Sequence, residues 1–315
     1  MTYSGKIVFA AGKTAELDLW VLDLNAKSLT RLTEGAYWND SPKWSPDGSM
    51  LAFTSNRTGY PQIYLMAADG SDQMQITNGE YYHGDPSWSP DGNTLVFCAN
   101  YGDQSKLGVW AITPDGSAPE VIISDAGVIT QPVWSPDGNY IYLSSTRSGH
   151  YDIWSFNLST SEWQQLTGGN SEEFAPAISP DGKTIAYISN AQDKAEERTE
   201  NSSIWLMNIN GTNKRRVTQT PGDDKHVSWA PSSKQLVYCA SYPSSASERL
   251  RTVDLLTDNA MTMVFDRGPI LERLKGSGAE HKQGLMSVLG LVPDKLGKMF
   301  YDASYQGTER RPDWK

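Results

Sequence analysis

One all-β domain, six four-stranded antiparallel sheets set in a ring, is the architecture this sequence predicts. Three observations predict it. The heptapeptide Pro-x-Trp-Ser-Pro-Asp-Gly stands at 42–48, 86–92 and 132–138, recurs with Ile178 in place of Trp at 176–182, and survives in worn form at 227–233. Its third residue falls at 44, 88, 134, 178 and 229, so the repeat advances by 44, 46, 44 and 51 residues, a period that belongs to propellers and solenoids. Between the copies lie short β-branched and aromatic runs bounded by Gly, Pro, Asn and Asp, the signature of strands joined by hairpins.

The first unit offers strands at 6–10, 17–24 and 28–33. The second shows the full plan of strands A to D, at 41–45, 50–55, 62–67 and 73–77. Ser45-Pro46-Asp47-Gly48 turns A into B: Pro presets one φ, Asp bonds local backbone and Gly tolerates φ > 0. Asp69-Gly70 is the hairpin signal between C and D. Strands B to D follow at 95–99, 108–113 and 120–124, at 140–145, 152–157 and 163–167, at 184–189, 203–209 and 214–218, and at 235–240, 250–255 and 261–265. Trp20, Tyr64, Trp110, Trp154 and Trp205 hold one register of strand C and are expected to pack sheet on sheet.

The first unit lacks strand A, which would leave an open sheet edge. Residues 285–291 resemble a degraded strand A and are expected to complete the N-terminal blade, closing six blades. Residues 298–302 compete with 6–10 for one place, so a ring of seven blades, one incomplete, is the alternative. The domain is expected to span 1–305, with a tail at 306–315. The period is broken by an enlarged loop at 191–202 and by a connection at 266–284 that holds a short helical stretch at 269–275.

The 315 residues carry a net charge of −10 and a pI near 4.9, which disfavours nucleic acid, whose binding draws on a positive field. No run approaches the ~18 apolar residues of a membrane span. No signal peptide is visible; the expectation is a cytoplasmic protein if the sequence is complete, and a periplasmic one if a signal was removed.

The longer pattern Pro-x-Trp-Ser-Pro-Asp-Gly-x-x-(Leu/Ile)-x-Phe-x-Ser-x-Arg-x-Gly-x-x-x-Ile-Tyr is best kept at 42–64 and 132–154. It resembles the repeat of TolB-type β-propellers over 4–265 and, more weakly, 285–305. The resemblance implies a propeller and a periplasmic scaffolding role in the envelope-spanning Tol–Pal system. The full TolB protein also carries an α/β domain ahead of its propeller; there is no room for one here, so a stand-alone propeller is expected. Prolyl-oligopeptidase-type enzymes share the repeat but need a Gly-x-Ser-x-Gly elbow, which is missing. Oligogalacturonate lyases share it too, with a metal held by clustered histidines. Here the four histidines are His83, His150, His226 and His281. His83 and His226 fall three units apart, across the ring, whereas ligands of one metal sit ~2.0–2.1 Å from it. No catalytic residue, metal ligand or cofactor is therefore expected.

Cys98 and Cys239 share a register of strand B three units apart, too far for a disulfide, and should be buried free thiols. Ser45, Ser89, Ser135 and Ser179 recur in turns and read as structural. The D–A and B–C loops share one face, which gathers the irregular segments 191–202, 241–248 and 266–284 together with acids and aromatics. Function sits on such loops over a rigid scaffold. The expected activity is non-catalytic: a scaffold that binds a protein or peptide, basic in character, through Trp38, Asn39, Asp40, Tyr82, His83, Asp85, Gln131, Glu172, Glu173, Asp224 and His226 around the channel mouth. Aromatic anchors would supply affinity and an acidic rim selectivity. The alternative is an enzyme or sensor taking a small polar ligand, such as a carbohydrate, in the channel.

Overall fold

The computed structural model describes residues 5–13, 16–100, 107–117, 119–124, 127–191, 201–219, 222–242, 245–256 and 259–262. The described residues form antiparallel strands and no helix. Six sheets follow one another along the chain. Blade 1 is β1 (Lys6–Lys13), β2 (Glu16–Asp23) and β3 (Ser28–Arg31). Blade 2 is β4 (Asn39–Trp44), β5 (Met50–Ser55), β6 (Gln62–Ala67) and β7 (Met74–Gln75). Blade 3 is β8 (His83–Trp88), β9 (Leu95–Ala99), β10 (Gly108–Ile112) and β11 (Glu120–Ile123). Blade 4 is β12 (Ile129–Trp134), β13 (Tyr140–Ser145), β14 (Asp152–Asn157) and β15 (Trp163–Gln165). Blade 5 is β16 (Glu173–Ile178), β17 (Thr184–Ser189), β18 (Ser203–Asn208) and β19 (Arg215–Arg216). Blade 6 is β20 (Asp224–Trp229), β21 (Gln235–Tyr242), β22 (Ser245–Asp254) and β23 (Asn259–Thr262).

The Ser-Pro-Asp-Gly turn builds itself. Ser45 Oγ accepts the Met50 N–H at 3.0 Å and donates to Asp47 Oδ1 at 2.6 Å, while Asp47 Oδ1 accepts the Ser49 N–H at 3.0 Å. Gly48 closes the turn at φ 72°, open to Gly without strain. The same serine–aspartate bond recurs at Ser89–Asp91, Ser135–Asp137 and Ser179–Asp181, which makes these serines structural.

Each sheet buries both faces, so the middle strands read as nearly continuous apolar runs. The core is divided into six clusters, one at each junction of neighbouring blades. Phe97 and Ile63 meet between blades 2 and 3. Tyr142 and Tyr187 meet between blades 4 and 5. The sixth cluster sets Cys239 and Leu250 of the last blade against Phe9, Ala11 and Trp20 of the first. That packing closes the ring. Trp20, Tyr64, Trp110, Trp154 and Trp205 all pack at these junctions, opposite Phe9, Phe53, Phe97, Leu143 and Tyr187 in register. Cys98 and Cys239 are buried and free.

Two expectations change. The 241–248 loop is replaced by a longer hairpin, with Tyr242 opposite Ser245. The outer strands are shorter than their sequences suggest. In blade 2, Thr77 leaves the ladder because its hydroxyl accepts the Ile63 N–H at 2.9 Å and donates to Gln62 Oε1 at 2.8 Å. Thr33, Thr167 and Thr218 accept the N–H of Leu19, Ile153 and Ile204 in the same way. Thr77→Val keeps the shape and orphans the buried Ile63 N–H. It is expected to lower stability by about 1–3 kcal/mol in urea unfolding. The predicted pairing of 285–291 with the first blade, the strand at 298–302 and the helical stretch at 269–275 lie outside the described residues.

Candidate functional site

The inner strands β4, β8, β12, β16 and β20 wall the central channel, and all five are broken at one place. Their registers shift between Asp40 and Lys43, Gly84 and Ser87, Thr130 and Val133, Phe174 and Ala177, and Lys225 and Ser228. At each shift a non-glycine residue takes positive φ: Ser41 51°, Asp85 55°, Gln131 54°, Ala175 52° and His226 53°. Four of these precede a proline, which has no N–H to give the ladder, so the strand bulges where Pro sits inside it.

Bonds between blades support the bulges. Ser41 Oγ donates to Asp85 Oδ1 at 3.2 Å, and the Gln131 N–H also donates to Asp85. Gln131 Oε1 in turn accepts the Ala175 N–H at 2.9 Å. Blades 2 to 5 are thus tied in sequence at the channel wall. The charges here are concentrated on blades 2 and 3. Burial pushes the Asp40 carboxyl up to about 7, with the Asp85 charge adding to the rise and the Ser41 N–H and Lys43 opposing it. Burial raises Asp85 as well, against hydrogen bonds from Ser41 and Gln131. Lys43 is reachable by solvent yet ringed by protein, the combination a channel position produces. Burial lowers its pKa, and the Asp85 and Asp40 charges oppose that.

The model of the TolB beta propeller domain matches residues 3–113 and 72–264, most of the length. The chain belongs to the TolB beta propeller domain family. An uncharacterized protein of Agrobacterium fabrum, Atu1656, is 27% identical over 105 residues, 33% of each chain. TolB from Acinetobacter baumannii superposes with a TM-score of 0.73 at 23% identity, over 83% of this chain and 64% of that one. A chain of the nidogen/laminin complex gives a TM-score of 0.63 at 11% identity, over 82% and 92%. This TolB-family propeller therefore spans less than two thirds of the Agrobacterium relative and of the Acinetobacter TolB. At such identities the structural likeness is one of fold.

Against this geometry the residues expected at the mouth divide into two groups. Asp85, Gln131 and His226 are the bulge residues and line the wall. Tyr82 is half-buried, and its ring lies over Gly84, where an added Cβ would come within 2.2 Å of the phenol oxygen. Glu172 holds a loop: Oε2 accepts the Tyr151 N–H at 2.8 Å, and His150 Nδ1 lies 3.8 Å from Oε1. Trp38, Asn39, Asp40, His83, Glu173 and Asp224 are buried and present no rim to a partner. The first residue of each inner strand faces the preceding blade. Asn39 donates to the Leu17 carbonyl at 2.9 Å, His83 is packed 5.8 Å from the Phe97 ring, and Glu173 is hydrogen-bonded with Asp152. Burial lowers the His83 pKa to about 4. The expected acidic rim, as far as Asp40, Glu173 and Asp224 would form it, is thus turned into the junctions. Among the described residues no three His, Cys, Asp or Glu side chains are grouped for a metal.

What remains open on the loop face is aromatic. Tyr60 is 46% exposed and Tyr81 38%. Their loops are stapled together: the His83 N–H donates to the Pro61 carbonyl at 3.0 Å, and Gln62 Nε2 to the Gly79 carbonyl at 2.8 Å. Half-buried Tyr37 stacks under Arg57, 4.9 Å away, with Glu34 and Glu80 exposed on the neighbouring loops.

Proposed function

We propose that this propeller is a non-catalytic scaffold that binds a protein or peptide with basic side chains on its D–A and B–C loop face. One observation carries the reading: Tyr60 and Tyr81, two exposed aromatic residues on loops that hydrogen bonds hold rigid. Solvent-exposed tyrosines on a preorganised surface bury large area at small entropic cost, and such residues dominate interface energetics. Glu34 and Glu80 beside them, on a chain of net charge −10, favour a cationic partner and speed its encounter. The fold shared with TolB and with a chain of the nidogen/laminin complex is consistent with a role in protein contacts.

The test begins with photo-crosslinking from positions 60 and 81 in the native host. The captured protein is then purified and titrated by calorimetry. Tyr60→Ala with Tyr81→Ala is expected to weaken binding about 30-fold or more, as loss of an anchor of ~2 kcal/mol or more requires. Glu34→Lys with Glu80→Lys should slow association and flatten its salt dependence. Unchanged affinity in the tyrosine double variant would overturn the proposal.

A further inference from the structure

The channel wall itself is chemically lopsided. At the bulge and two residues beyond it, the five described inner strands carry Ser41 and Lys43, Asp85 and Ser87, Gln131 and Val133, Ala175 and Ala177, and His226 and Ser228. Cation and carboxylate stand together on blades 2 and 3. Blade 5, which faces blade 2 across a six-bladed ring, offers only methyl groups, and blade 4 adds Val133. These aliphatic side chains are half-exposed, which at the innermost strands means exposed to the channel.

Lys43 is the pivotal group. It feels the charges of Asp85 and Asp40, yet among the described residues its ammonium makes no hydrogen bond or ion pair. An enclosed charge without a direct counter-ion opposes its own burial. A ligand carboxylate would relieve that cost. A simple anion would meet the repulsion of Asp85 and Asp40, and a neutral sugar would leave Lys43 as it is. A metal ion would have to sit beside the ammonium. The group that satisfies all three side chains carries both signs of charge.

We infer that the central channel binds a small amphipathic zwitterion, an apolar α-amino acid or a dipeptide of such residues. Its carboxylate meets Lys43, its ammonium meets Asp85, and its apolar group lies against Val133, Ala175 and Ala177. Pockets of this kind, mostly apolar with a few convergent polar groups, are the usual form of small-ligand sites. This inference stands apart from the loop-face scaffold, because none of its residues is among the tyrosines or glutamates invoked there.

The experiment is calorimetric titration of the full chain with L-leucine and with L-leucyl-L-leucine, which separates the free amino acid from the peptide. Three controls each lack one feature: 4-methylpentanoate lacks the ammonium, isoamylamine the carboxylate and glycine the apolar group. Saturable binding of one zwitterion, with each control at least tenfold weaker, is the expected result. Lys43→Met should abolish the advantage of leucine over isoamylamine, and Asp85→Asn its advantage over 4-methylpentanoate. Asn keeps the positive φ that this bulge needs. If no zwitterion binds, or if the one-charge controls bind equally well, the inference is wrong. The wild-type series decides this even if a variant fails to fold.

Discussion

Replacing Glu173 by glutamine is expected to stabilise the protein at pH 8 and to change little at pH 4. Glu173 is buried at the junction of blades 4 and 5. Its Oε1 accepts from the Ser171 hydroxyl at 2.5 Å and the Ser189 hydroxyl at 2.9 Å. Its Oε2 is buried without a donor. The group it faces is another buried carboxyl, Asp152, already served by Ser148, by Gln165 at 2.9 Å and by Thr167 at 3.1 Å. Two carboxyls in contact without a cation share one proton. Burial raises the Glu173 pKa above 4.5, the serine hydroxyls oppose the rise, and Asp152 adds to it. A raised folded-state value means stability that is complete below the unfolded pKa of 4.5 and is lost as pH climbs through the folded one. The slope from this one proton reaches about 1.4 kcal/mol per pH unit. In Glu173→Gln the amide N–H takes the place of the shared proton toward Asp152, and its oxygen keeps the serine bonds. Urea midpoints of the two proteins from pH 4 to pH 8 check this. The gap should open only above about pH 4.5; a constant gap would mean that the pair is not sharing a proton.

Phe97→Ala is expected to lower stability by about 3–5 kcal/mol, because it empties a junction that cannot collapse. Phe97 has no solvent exposure and sits among Ile63, Leu65, Trp88 and Leu95, pinned by two rigid sheets. Tyr60→Ala, on the loop face, should stay within about 0.5 kcal/mol of wild type. Chemical unfolding of both gives the contrast. A loss below ~1 kcal/mol at Phe97 would show that the blades slide to fill the space.

Much of this was legible in the chain. Asp47, Asp91, Asp137 and Asp181 act within two residues of their serine partners, so the turns follow from local sequence alone. The recurring Trp and Tyr of strand C marked the junctions because a ring of equal blades repeats its contacts. The bulges escaped notice although Pro42, Pro86, Pro132 and Pro176 announced them: a proline inside a predicted strand requires a break in the ladder. The strands were placed as starting near those prolines and in fact begin about three residues earlier. That shift carried Asn39, His83, Glu173 and Asp224 from the rim into the junctions.

The order of strands, the tight turns and the number of blades are set by contacts a few residues apart and by a repeat of about one blade, and the chain alone determines them. Which polar side chains face water was settled only in three dimensions. Glu173 meets Asp152 across 21 positions, and Ser41 meets Asp85 across 44, on separate blades. A carboxyl's charge depends on the neighbours that desolvate or pair it, and here those neighbours arrive from the next sheet in the ring.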